Sequence, residues 1–131
     1  MKKTLVFTLA LTLVAPFAGT PVWAHGQEEH AHKAPHGGVV RTSGKYHLEV
    51  VPKGTSVDIY LLDEKEATLP IQNVTVKVTG LTKDKKRLDV QPKPAKDRFT
   101  AAVPAGSLAG ATLIVTMRRG EETISARFAL K

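Results

Sequence analysis

Five histidines carry most of the chemistry this sequence can offer: His25, His30, His32, His36 and His47. Residues 48–131 contain none. Neutral imidazole is the commonest protein ligand for zinc, and it also suits copper(II) and nickel. Residues 25–37 read HGQEEHAHKAPHG, so Glu28 and Glu29 add carboxylate oxygens to the first four imidazoles. Short His-rich tracts are a recognised metal-binding composition. This tract has no apolar periodicity, which predicts a flexible arm. Such an arm can capture metal but has no fixed geometry with which to select it. The same residues also read as a solvated polar tail.

His36 and His47 call for positioning by strands. If Ser43-Gly44 is the centre of a two-residue hairpin, Thr42 pairs with Lys45. His47 then lies opposite Val40, and Glu49 lies opposite Gly38. Period-two alternation puts His36, Gly38 and Val40 on the same face as His47 and Glu49. His36 sits diagonal to Glu49, within reach of long side chains. Gly38 has no side chain and leaves room over Glu49 for an imidazole or an ion. The expected site is therefore His36, His47 and Glu49, a set that suits zinc or another borderline divalent ion. Tyr46, Leu48 and Val50 point to the opposite face, into a core. In the competing reading Glu49 pairs with a lysine and His47 is a plain strand residue.

The elements that must hold this hairpin are fairly legible. Short runs rich in Val, Ile, Leu and Thr alternate with turn residues from Val39 to the end of the chain. Strands are expected at 39–42, 45–51, 56–62, 73–79, 87–91, 98–103, 112–117 and 123–130. Val57, Ile59 and Leu61 share one face of their strand, as do Val74, Val76 and Val78. Lys83–Lys86 reads as a basic turn, and residues 107–111 as at most one helical turn. Short strands with one apolar face predict a single antiparallel β-sandwich of about seven or eight strands, immunoglobulin-like, over residues 38–131.

Residues 1–24 read as an address rather than a fold. Lys2 and Lys3 precede an apolar run from Leu5 to Phe17, and Val22-Trp23-Ala24 supplies a cleavage site. The run is too short to span a bilayer, which takes ~20 apolar residues. The expected product starts at His25, is periplasmic, and has no membrane-inserted segment. Its free amino group and the imidazole of His25 could together chelate copper(II). The chain has no cysteine, so disulfides and thiolate sites are excluded. Monovalent copper or silver is disfavoured, because soft ions prefer sulfur and Met117 is the only sulfur after the leader. The net charge of +7 would attract nucleic acid or anionic lipid; export argues against nucleic acid, and a soluble basic surface is the simpler reading. No Ser-His-Asp set, phosphate loop or Cys nucleophile is apparent, so no enzymatic activity is expected.

His36-Gly37-Gly38-Val39-Val40, followed by Tyr46-His47-Leu48-Glu49-Val50-Val51 and then Val57–Asp63, resembles the N-terminal metal-binding β-domain of periplasmic adaptor subunits of heavy-metal resistance-nodulation-division efflux systems. The likeness covers about residues 35–63. It implies a stand-alone exported domain handling copper, zinc, cobalt or cadmium, and it favours His36, His47 and Glu49 as ligands. It says nothing firm about His25, His30 or His32. The chain lacks the coiled-coil hairpin and lipoyl-like domain of the adaptors, so it cannot be a pump adaptor itself.

Two functions are therefore expected to compete. The first is a periplasmic divalent heavy-metal-binding protein (chaperone, buffer or sensor) with zinc or copper(II) foremost, then cobalt, nickel or cadmium. A periplasmic efflux-pump component is its expected partner. Affinity should fall below about pH 6 as imidazoles protonate. The second is a non-enzymatic envelope interaction module with an incidental His-rich tail, docking through edge strands or basic turns.

Overall fold

The structure, a computed structural model, describes residues 33–131. The expected leader, most of the His-rich arm, and with them His25, His30 and His32, lie outside the described residues. Nine strands follow in order: β1 (Val39–Ser43), β2 (Tyr46–Pro52), β3 (Ser56–Leu62), β4 (Val74–Leu81), β5 (Arg87–Val90), β6 (Lys93–Ala95), β7 (Arg98–Ala102), β8 (Thr112–Arg119) and β9 (Glu122–Ala129). They form two antiparallel sheets, ordered β1-β2-β3-β7-β6 and β5-β4-β8-β9. Leaving β1 aside, β2, β3, β7 and β6 take the places of immunoglobulin strands A, B, E and D, and β5, β4, β8 and β9 those of C′, C, F and G. The all-β, immunoglobulin-like sandwich read from the strand pattern is thus the fold.

The elements follow the alternation of the sequence. Val74, Val76 and Val78 face inward from β4, while Thr75, Lys77 and Thr79 face out. Leu113, Val115 and Met117 of β8 and Ile124 and Phe128 of β9 meet Leu48, Val50, Val57, Ile59 and Leu61 across the sandwich. The strand beyond the expected set is β6, three residues inside the Pro-Lys-Pro loop, pairing with β7 from Lys93↔Thr100 to Ala95↔Arg98. Pro94 is tolerated there because β6 is an edge. Residues 107–111 form consecutive turns rather than a helical turn, with Ser107 N donating to Pro104 O and Ala111 N to Leu108 O.

The first hairpin differs from expectation by two residues of register. Ser43 pairs with Tyr46 and Thr42 with His47, so Gly44 and Lys45 form the loop instead of Ser43 and Gly44. Gly44 has φ +60° at the first loop position, where a type II′ turn needs a residue free to adopt positive φ. Because the slip is even, the facing of every side chain is preserved. Tyr46, Leu48 and Val50 do enter the main core.

Strands β2 and β3 are buried on both faces, which period-two alternation does not anticipate. On the outer face of their sheet, Val40, Val51, Tyr60 and Leu62 form a second small apolar cluster, with Ala34 packed on it. The cover is a segment that composition alone assigns to the arm. Ala34-Pro35-His36-Gly37 forms a turn closed by Gly37 N donating to Ala34 O at 3.1 Å. Pro at the second position and Gly at the fourth suit such a turn. Packing and hydrogen bonding therefore tie the folded region from Ala34 onward, earlier than the boundary expected at Gly38.

On the far side, β1 turns toward β9. Ser125 N donates to Ser43 Oγ at 3.1 Å, and Tyr46 Oη donates to Glu122 Oε2 at 2.6 Å. These contacts cross between the sheets and fix the hairpin that carries the candidate site.

Candidate functional site

Glu49 lies at the centre of the outer face of β2, with Val40 opposite it on β1 and Tyr60 opposite it on β3. Its side chain is fully buried. A buried carboxylate is tolerated only when its lone pairs are satisfied. Three groups do so here. Oε1 accepts the backbone N–H of His36 and of Gly38, both at 2.9 Å. Oε2 lies 2.7 Å from Nδ1 of His36.

Two glycines make this possible. Gly37 has φ +78°, which turns the chain after His36 so that two nearby N–H groups converge on one oxygen. Gly38 runs against β2, where a Cβ would stand 2.3 Å from the carbonyl oxygen of Val50. Of the two occupants expected in the room that Gly38 leaves above Glu49, an imidazole or an ion, the structure shows the imidazole, that of His36, together with the backbone of the turn, which binds the carboxylate directly.

The His36 ring stacks on Tyr60, with centroids 3.6 Å apart and planes at 5°. Its Nε2 lies 3.3 Å from Thr68 Oγ1. A carboxylate at Nδ1 can only accept a hydrogen bond from it, so Nδ1 carries a proton, and in the neutral ring Nε2 carries the lone pair. His36 is thus pinned on three sides and retains 25% exposure of its side chain. His47 stands one register step away on the same face, between Thr42 and Leu62. It is buried, and its Nδ1 lies 3.1 Å from Thr42 Oγ1.

No protein-family model and no curated protein matches the chain. A crystal structure of a DUF4426 family protein from Pseudomonas aeruginosa PAO1 superposes with a TM-score of 0.48 at 11% identity, over 69% of this chain and 92% of that one.

Of the residues expected to form the site, His36 and Glu49 are brought into direct contact and His47 onto the same face. The three do not converge on one point: among the described residues no group of three metal-ligating side chains is formed. The reason is that Glu49 is spent on the turn and on Nδ1, so it orients an imidazole instead of offering a free oxygen. Tyr60, Thr68 and Thr42 escaped sequence reasoning. For Tyr60 a signal was available: Ile59-Tyr60-Leu61-Leu62 is apolar on both faces of its strand, the mark of a strand covered on both sides.

Further along the outer face, Asp58 is 2% exposed and sits opposite Val51 and Thr100. Lys53 Nζ approaches its Oδ2 at 2.7 Å and Arg98 Nε at 3.1 Å. Both approaches are within ion-pair distance. Burial pushes the Asp58 carboxyl up, but Lys53, Thr100 and Arg98 outweigh it and hold the pKa below the ordinary 3.8. Burial also pushes the Tyr60 phenol up.

Proposed function

We propose that the protein is a periplasmic divalent-metal-binding protein, a chaperone, buffer or sensor, in which His36 and His47 are ligands and Glu49 positions His36. The observation that carries this reading is the Glu49–His36 pair. A metal-ligating histidine characteristically gives its other ring N–H to a carboxylate, which fixes its tautomer and raises its basicity. Here the carboxylate holds Nδ1 at 2.7 Å, and among the described residues Nε2 is engaged only by the longer 3.3 Å contact to Thr68. A hydroxyl at that distance is a weak competitor for the lone pair.

Two imidazoles do not complete a tetrahedral shell. His32 stands four residues before His36, and His30 and His25 precede it. Four residues of extended chain reach at most about 14 Å, so these histidines are candidates to supply the remaining nitrogens. Zinc and copper(II) suit such a nitrogen-rich set best, with nickel, cobalt and cadmium behind them. The likeness of residues 36–40 and 46–51 to efflux-adaptor domains supports His36 and His47 as ligands, and the leader-like start of the sequence supports the compartment.

The test is a calorimetric titration of zinc and copper(II) in a non-coordinating buffer. Saturable binding that weakens in His36→Ala and in His47→Ala is expected. Binding lost only in a His25/His30/His32→Ala variant would move the site off the sandwich. Absence of saturable binding would end the reading.

A further inference from the structure

The basic turn between β4 and β5 has no part in the proposed metal site, and it borders the exposed large hydrophobic residues among the described residues. Leu81 and Ile114 are the exposed large hydrophobic residues, at 43% and 45%. The register explains why they are neighbours. Leu81 pairs with Thr112 and Ile114 with Thr79, so both stand on the outer face of the β5-β4-β8-β9 sheet, diagonal to one another. Their alternates, Gly80 and Leu113, are buried.

Cations flank this pair on both edges. Arg87 of β5 lies opposite Leu81, and Arg127 of β9 lies opposite Ile114. Lys83, Lys85 and Lys86 follow Leu81 and Thr82 in the turn, all exposed. The turn is rigidly built: Lys85 N donates to Thr82 O at 2.9 Å and Thr82 N to Lys86 O at 2.8 Å. Two acids stand nearby, Asp84 in the turn and Asp89 on β5, and Asp89 accepts from Gln91 Nε2 at 2.7 Å. The patch is therefore a positive rim around two exposed aliphatic side chains on the outer face of the sheet.

We infer that this face docks the protein peripherally on an anionic lipid bilayer, with Lys85, Lys86, Arg87 and Arg127 on headgroup phosphates and Leu81 and Ile114 at the acyl boundary. Charge complementarity decides the occupant. Lysine and arginine clusters beside protruding apolar residues match anionic headgroups, where each cation strengthens attachment and salt weakens it. No strand or helix needs to insert, so the sandwich docks intact.

The experiment is vesicle sedimentation of the protein as purified from its producing cells, its N-terminus read by mass spectrometry. Vesicles of phosphatidylcholine alone are compared with vesicles containing about 30 mol% phosphatidylglycerol. The readout is the increment that phosphatidylglycerol adds, to which an uncleaved leader contributes equally in every variant. The increment should disappear in high salt. It should fall about tenfold or more in Lys85→Gln/Lys86→Gln/Arg87→Gln, and fall also in Leu81→Ser/Ile114→Ser. Circular dichroism and thermal melting confirm that both variants are folded. Equal binding to the two vesicle types, or either folded variant sedimenting like wild type, overturns the inference. So does binding to soluble polyglutamate that persists where vesicle binding is absent, which would give the face to an acidic protein.

Discussion

The carboxylate of Glu49 reaches across the hairpin to His36, thirteen residues earlier in the chain, and holds both its backbone N–H at 2.9 Å and its Nδ1 at 2.7 Å. One buried side chain thus fixes where the turn lies and which ring nitrogen of His36 bears the proton. Removing it should be costly. In Glu49→Ala the N–H groups of His36 and Gly38 lose their acceptor, and each unsatisfied buried donor costs about 1–3 kcal/mol. A total loss of roughly 3–5 kcal/mol is expected, in line with breaking a buried charged pair. Thermal melting followed by circular dichroism measures it. A variant within about 1 kcal/mol of wild type would mean the turn is held by other contacts.

The two glycines of the turn should respond differently to the same added methyl. At Gly37 nothing lies within 4 Å of where a Cβ would stand, but φ is +78°. Gly37→Ala should therefore cost about 1–2 kcal/mol of backbone strain alone. At Gly38 the added carbon would meet the Val50 carbonyl oxygen at 2.3 Å and Val51 Cγ2 at 2.8 Å. The backbone must move away from β2, which lengthens the bonds to Glu49. Gly38→Ala should be the more damaging of the two, and hydrogen exchange should show loss of protection at the His36 and Gly38 amides.

Much of this could be read from the sequence. Alternation along Ser56–Leu62 and Asn73–Thr79 marks the strands and their inner faces, because one face of each strand meets the main core. The grouping of His36 and Glu49 was also legible, since an even register slip preserves which face a residue occupies. The role of Glu49 was not. Its burial depends on a turn that itself depends on Gly37 taking positive φ and Gly38 lacking a Cβ. That is a tertiary arrangement of backbone, and no local pattern encodes it. The same blindness hid Thr68, which reaches His36 from a connection thirty-two residues away.

Acid should weaken the fold through Asp58. Its folded pKa lies below the ordinary 3.8 because Lys53, Thr100 and Arg98 overcome the effect of burial. A depressed carboxyl contributes stability that is fully present above its unfolded pKa and is lost as pH falls through the folded one. Wild-type melting temperature should therefore drop below about pH 4. Asp58→Asn removes this titration, so its melting curve should lose that part of the acid dependence while being less stable than wild type at neutral pH. An unchanged acid limb in Asp58→Asn would assign the effect to other carboxyls.

Glu49→Gln separates the fold from the proposed chemistry. The amide oxygen can still accept the N–H groups of His36 and Gly38, as Oε1 does now. The amide nitrogen would then face Nδ1, where Oε2 stands at 2.7 Å. An amide N–H is a donor, so Nδ1 must become the acceptor, and the proton of the neutral ring moves to Nε2. A protonated Nε2 has no lone pair for a metal. The fold should survive with a loss of about 1 kcal/mol, the scale of a single hydrogen bond. Metal affinity should fall about 10–100-fold, the usual cost of losing an orienting partner. Nitrogen-15 chemical shifts of the His36 ring report the tautomer directly. If the tautomer switches and zinc binding is unchanged, Nε2 of His36 is not a ligand, and Glu49 serves the turn alone.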